Sequence, residues 1–181
     1  MIAKGSISIT DNKIIVALLK PEDSQASNAE IIAEISEKGY DILYISINQP
    51  AQYLKYSFDK KGIDTSKIMF IDTVTRYALG KKPEEEPGFT YVNNPGDLTA
   101  IGIALTETLK KYNGNKLLVY LDSINAMLIH LPSHNVSKFI HFLTTKLRVM
   151  EIPGVYLAVD PGLDPILLSQ LTAFADELIM G

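Results

Sequence analysis

Residues 20–27 (KPEDSQAS) join a predicted strand to a predicted helix, the position where α/β proteins can bind phosphate. These residues align with the phosphate-loop pattern G-x-x-x-x-G-K-[ST]. Lys20 and Gln25 stand at the glycine positions and Ala26 at the lysine position, so only Ser27, at the Mg²⁺-ligand position, agrees. Glycine permits close approach of the backbone and lysine supplies positive charge. The segment therefore does not predict a standard phosphate cradle.

The residues inside the same segment also oppose phosphate binding. Pro21 has no backbone N–H to donate, and Glu22 and Asp23 place carboxylates where a polyanion would lie. Polar residues nevertheless follow several predicted strands, where α/β sheets bind ligands. The candidate nucleotide-binding residues, as remnants of a site, are Lys20, Ser24, Ser27, Asn48, Asp122 and Ser123.

The elements that must position these residues are short apolar runs rich in β-branched side chains. The runs predict strands at residues 14–19, 41–47, 67–72, 116–122, 154–160 and 177–180. Helical patterns lie between most of them. This alternation predicts an α/β fold, a three-layer sandwich with a largely parallel central sheet. At 181 residues the chain is expected to form one domain, residues 1–181.

The predicted helices have recognisable ends. Gly39 is expected to end the helix after the first strand, and Pro50 to begin the helix after the second. Asp97 is expected to cap the helix that precedes the 116–122 strand. Asn135 is expected to cap the helix after the 116–122 strand. Residues 75–95 are rich in Gly, Pro, Asn and Glu and predict a loop insertion.

The order of segments resembles the RecA-like ATPases of the KaiC and RadA group. IIVALL with the following loop and helix resembles the Walker A unit, and KLLVYLDSINAML resembles the Walker B strand with its Asp-Ser. GYDILYISINQPAQYL, KIMFIDTV and GVYLAVD are similar to the family's other strand units. The resemblance covers nearly the whole chain and implies a RecA-like fold with a degenerate Walker A motif.

The chain departs from this family where the chemistry would be. Ala26 replaces the Walker lysine, and Asn48 and Gln49 occupy the stretch where the family has its general-base glutamate. Asp122 remains at the Walker B position and Ser27 at the Mg²⁺ position. The resemblance thus implies a RecA/KaiC-like domain without catalytic residues or a cofactor, which acts as a regulatory or assembly subunit. It implies a homo-oligomer, or association with an active RecA/KaiC-like ATPase.

Two alternatives remain open. One is a nucleotide-binding switch or weak ATPase that binds ATP and Mg²⁺ through an altered loop, with Lys20 as a displaced cation. The other is a single-stranded nucleic-acid accessory protein that uses the face of residues 53–61, with its aromatic residues Tyr53, Tyr56 and Phe58 and its lysines Lys55, Lys60 and Lys61. The net charge of −4 gives no support to nucleic-acid binding.

Composition excludes several other classes of protein. The chain has no cysteine, which removes disulfides, thiolate metal sites and cysteine nucleophiles. Pro132 separates His130 from His134, so this pair does not predict a metal site on one helix, and no metal is expected. There is no G-x-S-x-G nucleophile motif, and no apolar segment suggests a signal peptide or a membrane span. A cytoplasmic protein is the expectation.

Overall fold

A computed structural model describes residues 5, 7–10 and 12–181. Six of its seven strands match the predicted apolar runs to within one residue at each end, and β4 was not predicted. The strands are β1 (Ile14–Leu19), β2 (Asp41–Ser46), β3 (Ile68–Asp72), β4 (Phe89–Tyr91), β5 (Leu117–Asp122), β6 (Gly154–Val159) and β7 (Glu177–Met180). Such continuous apolar runs are typical of strands that are covered on both faces.

The described strands form one seven-stranded sheet in the order β4-β3-β2-β5-β6-β1-β7, and all neighbours are parallel. The predicted α/β class and parallel sheet are therefore confirmed. The register places Ser46, the last residue of β2, opposite both Asp72 of β3 and Asp122 of β5. The carboxyl ends of these three strands thus meet at one edge of the sheet.

Helices cover both faces of the sheet. They are α1 (Ser24–Glu37), α2 (Ala51–Lys60), α3 (Thr75–Leu79), α4 (Leu98–Lys111), α5 (Ile124–His130), α6 (Ser133–Val149) and α7 (Pro165–Phe174). The apolar side chains of α1 and α2 pack on one face of the sheet, and those of α4 to α7 pack on the other. This is the predicted three-layer arrangement. None of the helices in the described part of the chain is both long and apolar enough to cross a membrane.

Most predicted helix ends agree with the structure. Gly39 has a φ of 83°, which a side chain would disfavour, just beyond the end of α1. The Asp97 carboxylate accepts a hydrogen bond from the backbone N–H of Ala100 at 2.9 Å and so caps α4. Asp164 caps α7 in the same way, through the N–H of Leu167.

Three local predictions need correction. Asn135 does not cap a helix, because α6 begins at Ser133 after Pro132 and Asn135 lies inside its first turn. The 75–95 segment is not only a loop, since it contains α3 and the edge strand β4. Helix α5, which follows the Walker-B-like strand directly, was not predicted because its seven residues are too few for a clear helical period.

Candidate functional site

The connection between β1 and α1 is short and internally hydrogen-bonded. Residues Pro21–Asp23 form a single 3₁₀ turn that leads directly into α1. The backbone N–H of Asp23 donates to the carbonyl of Lys20 at 3.2 Å, and both the N–H and the hydroxyl of Ser24 donate to the carbonyl of Pro21. These donors therefore face the turn itself. A wide loop of free N–H groups of the kind that holds a phosphate is not formed by these residues.

A cleft of about 110 Å³ lies at the carboxyl ends of the strands, between α1 and α2. Its floor is buried and contains Asn28, Asp122 and Ser123. Its mouth carries exposed side chains from both helices and from the β2–α2 connection, including Gln25, Asn48, Tyr53 and Lys61. The remaining lining is Leu19, Ser24, Ala29, Gln49, Leu54, Ser57, Phe58, Leu157 and Val159.

The structure brings together four of the six residues singled out from the sequence. Ser24, Asn48, Asp122 and Ser123 all line the cleft. Lys20 is exposed at the start of the 3₁₀ turn and is not part of the lining. Ser27 is also outside the lining.

Ser27 occupies a different environment from the cleft residues. Its side chain is fully buried, and its hydroxyl has no hydrogen-bond partner among the described residues. The next residue, Asn28, is the one that reaches the floor of the cleft. Because one residue turns a helix by about 100°, neighbouring side chains on α1 face different surroundings.

A chain of buried hydrogen bonds forms the floor of the cleft. The Tyr120 hydroxyl donates to Asn28 Oδ1 at 2.7 Å, and Asn28 Nδ2 donates to the Tyr44 hydroxyl at 3.0 Å. The Tyr44 hydroxyl donates in turn to Asp122 Oδ2 at 2.5 Å. The side chain of Asn48 also hydrogen-bonds the Asp122 carboxyl. We call Tyr120, Asn28, Tyr44 and Asp122 the cleft network.

Sequence reasoning did not find Asn28, Tyr44 or Tyr120. A signal for the tyrosines was present, because each lies two residues before the end of its strand, in YIS and YLD, and the two are paired in register. Their rings belong to an aromatic cluster, with centroids 5.1 Å apart. In the sequence they look like ordinary core residues, since only the hydroxyl group distinguishes their role.

Burial controls the ionisation of the cleft network. It raises the pKa of the Asp122 carboxyl above its usual value, although the hydrogen bonds from Tyr44 and Asn48 act in the opposite direction. Burial and the nearby Asp122 carboxyl raise the pKa of Tyr44 and of Tyr120 well above 10. Both hydroxyls therefore remain protonated donors at neutral pH.

A second aspartate at the same edge of the sheet has different partners. Asp72 is fully buried, and its carboxylate accepts hydrogen bonds from the backbone N–H groups of Ala51, Val74 and Thr75. The Thr75 hydroxyl also donates to it, at 2.6 Å. Asp72 thereby fixes the first residues of α2 and α3. It does not line the cleft.

Comparison with known proteins identifies the fold. A KaiC-like protein from Pyrococcus horikoshii OT3 matches with a TM-score of 0.67 and 15% identity, over 96% of this chain and 72% of its own. An uncharacterized P. horikoshii protein, solved in complex with an unknown peptide, matches with a TM-score of 0.70 and 14% identity, over 96% and 78%. The flagellar accessory protein FlaH from Methanocaldococcus jannaschii matches with a TM-score of 0.59 and 10% identity, over 98% and 74%.

These matches confirm the resemblance to the RecA/KaiC-like fold. At 10–15% identity they concern the fold alone. A search of curated proteins finds no significant match. At the level of sequence families, residues 30–179 match the family described as "Family of unknown function (DUF7504)".

Proposed function

The chain belongs to DUF7504, a family of unknown function, and we propose that it is a RecA/KaiC-like domain that does not hydrolyse ATP. In this proposal it acts as a regulatory or assembly subunit that binds other proteins. The partner is a second copy of the chain or an active RecA/KaiC-like ATPase.

The observation that carries the proposal is the cleft network at the carboxyl ends of the strands. Asp122, at the Walker-B-like position, has its Oδ2 occupied by the Tyr44 hydroxyl at 2.5 Å. The space above it is about 110 Å³, whereas small-molecule and cofactor sites occupy about 300–1,000 Å³. The cleft is thus smaller than a typical cofactor site, which argues against a nucleoside triphosphate bound on its floor.

The β1–α1 connection supports the same proposal. The N–H groups of Asp23 and Ser24 donate within their own turn. Ala26, at the Walker lysine position, has no charge to offer to a phosphate. Glu22 and Asp23 would lie beside any bound polyanion, and like charges near contact repel by several kcal/mol at an effective dielectric constant of about 20.

The residues available for base catalysis also support it. Asn48 and Gln49 follow β2 where the RecA/KaiC-like ATPases have a glutamate, and an amide cannot accept a proton from water. Asp122 is the carboxylate in the cleft lining, and it sits on the floor as an acceptor for two side chains. It would have to release these hydrogen bonds to activate a water molecule.

Exposed apolar side chains at the carboxyl edge favour a protein-binding role. Ile129 of α5 is 77% exposed and Ile166 of α7 is 74% exposed. Tyr77 and Leu79 of α3 are more than half exposed, and the Tyr77 ring lies 5.8 Å from that of His130. The Tyr77–His130 contact places α3 beside the helix that carries Ile129, and contiguous exposed apolar surface is typical of sites that bind other proteins.

The proposal is tested by titrating the protein with a fluorescent ATP analogue in the presence of Mg²⁺. The expected result is no saturable signal, both for the wild type and for Asp122→Asn. Sedimentation of the wild type and of Ile129→Glu then tests assembly, with Asn115→Glu, at an exposed residue just before β5 on the opposite edge of the sheet, as the control. A saturable, Mg²⁺-dependent signal at micromolar protein would overturn the loss of nucleotide binding.

A further inference from the structure

We propose that the cleft binds one organic cation, a guanidinium or ammonium group on a flexible chain, with Asp122 as its counter-ion. This inference rests on the proposed function, because a cleft that held ATP would have no room for such a ligand. It names what the cleft does in a domain that does not use nucleotide.

The first argument is that Asp122 is a buried carboxyl group with no cation paired to it in the described part of the chain. Only 4% of its surface is exposed, and its hydrogen-bond partners Tyr44 and Asn48 are neutral. None of the ion pairs among the described residues includes Asp122. Buried charges in proteins are normally paired, because taking an isolated charge out of water is costly. The missing counter-charge points to a ligand that brings its own.

The second argument is the unused acceptor capacity of the floor. An ionised carboxylate has about four lone-pair sites, of which Tyr44 and Asn48 take one each. The Ser123 hydroxyl accepts from the N–H of Ala126 and can still donate or accept once more. A guanidinium or ammonium group has only donors, so it matches a floor that offers acceptors.

The third argument is the chemistry of the walls. Leu54, Phe58 and Leu157 are buried apolar side chains that line the cleft below its mouth. Tyr53, half exposed at the mouth, offers an aromatic ring to a passing cation. An alkyl chain that ends in a cation would pack its methylene groups on these walls and place its charge at the floor.

The size of the cleft selects the ligand further. The cleft volume of about 110 Å³ is several times the roughly 10–15 Å³ that a cavity needs to hold one water molecule. This is enough for a guanidinium with part of its alkyl chain. A metal ion is a poorer match, because Mg²⁺ and Ca²⁺ need at least about six oxygen ligands, and no group of three acidic, His or Cys side chains forms a metal cluster in the described part of the chain.

Lys61 sets the polarity of the mouth. It is exposed at the end of α2 and lines the cleft, and none of the ion pairs among the described residues joins it to Asp122. Its charge acts against any cation that enters, so the attraction for the ligand must come from Asp122 on the floor. The source of that group is either a free amine or an Arg or Lys side chain of a partner protein.

The experiment is an NMR titration of the intact protein with defined probes. The first probe is a short capped peptide with one arginine, and its control carries citrulline, which has nearly the same shape and no charge. The second probe is agmatine, a free guanidinium compound. Shifts in the cleft residues with the arginine peptide alone indicate a partner's side chain, and shifts with agmatine as well indicate a free ligand; either result supports the proposal.

Two variants make the result specific. Asp122→Asn should weaken binding of the arginine probe by at least about tenfold, the loss expected when a charged hydrogen-bond partner is removed. Ser57→Trp should block the cleft without changing the cleft network. The control, Ser169→Trp, changes an exposed serine of α7 on the opposite face of the sheet and should bind the arginine probe as the wild type does. Circular dichroism verifies that each variant is folded.

Three outcomes would overturn the proposal. They are no shift with either guanidinium probe, equal binding of the citrulline and arginine peptides, and unchanged binding in both Asp122→Asn and Ser57→Trp. None of them bears on nucleotide binding, which the fluorescent ATP analogue tests separately. The failure of this inference can therefore be distinguished from failure of the proposed function.

Discussion

Asp72 and Asp122 end the two strands that flank β2, and both lie opposite Ser46 in the register. Each is buried, and each is followed by a hydroxyl residue, Thr73 or Ser123. In the sequence both end an apolar run, although only Asp122 is among the candidate site residues. Their partners in the structure make them different in kind.

The Asp72 carboxylate accepts most of its hydrogen bonds from the backbone. It receives hydrogen bonds from three N–H groups and one hydroxyl, which belong to the first residues of α2 and to the start of α3. Asp122 receives its hydrogen bonds from side chains only and faces the cleft. A carboxylate whose oxygens accept from backbone N–H groups stabilises the fold. A carboxylate that accepts from side chains and borders a cleft is available to a ligand.

The sharpest way to break this comparison is to make the same substitution at both sites. Asp72→Asn should lower the free energy of unfolding by about 3 kcal/mol. The amide N–H₂ group replaces one carboxylate oxygen, so the backbone N–H groups that donated to that oxygen lose their acceptor. Asp122→Asn should change it far less, since asparagine can still accept from Tyr44 and turn its amide toward the cleft. Urea unfolding at neutral pH measures both. Equal losses would show that Asp122 is also a structural residue.

Two buried tyrosines on opposite faces of the sheet provide the next test. Tyr44→Phe should cost about 2 kcal/mol, because Asn28 loses an acceptor and Asp122 loses a donor. Tyr156→Phe, the control, should cost about 1 kcal/mol, because its hydroxyl makes one hydrogen bond, with Thr144. The two variants are compared by urea unfolding. If Tyr156→Phe were the more damaging, the cleft network would not be a cooperative unit.

The sequence predicted the fold much better than it predicted the site. Strands such as Leu117–Asp122 can be predicted from the sequence, because burial on both faces requires an uninterrupted apolar run. The residues at the strand ends were equally visible, and Asp122 and Asn48 do line one cleft.

What could not be predicted depends on rotation and on contacts between distant segments. A step of one residue along α1 decides that Asn28 faces the cleft and Ser27 does not. The cleft network joins residues 28, 44, 120 and 122, which only the assembled sheet brings together. The different roles of Asp72 and Asp122 also follow from where α2 and α3 begin, which periodicity does not fix to the residue.

The smallest effect expected is a difference in pH dependence. Burial raises the pKa of Asp122 in the folded protein above its value in the unfolded chain, so the folded state holds this proton more tightly. The contribution of Asp122 to stability is therefore complete below about pH 3.9, the unfolded pKa, and is lost as the pH rises toward the folded pKa. Asp122→Asn, which does not titrate, should become more stable relative to the wild type across that window, by less than the Tyr44→Phe loss.

The measurement is the difference in unfolding free energy between Asp122→Asn and the wild type at a series of pH values. Subtraction cancels the opposite trend from helix caps such as Asp97, whose pKa is lowered by the backbone N–H of Ala100. Tyr44→Phe should extend the window upward, because the Tyr44 hydrogen bond lowers the pKa of Asp122 and its loss leaves burial less opposed. If the difference in unfolding free energy did not change with pH, either in the wild type or in Tyr44→Phe, Asp122 would have the same pKa in the folded and unfolded protein. Asp122 would then behave as a solvated carboxylate and would not need a cation as its partner.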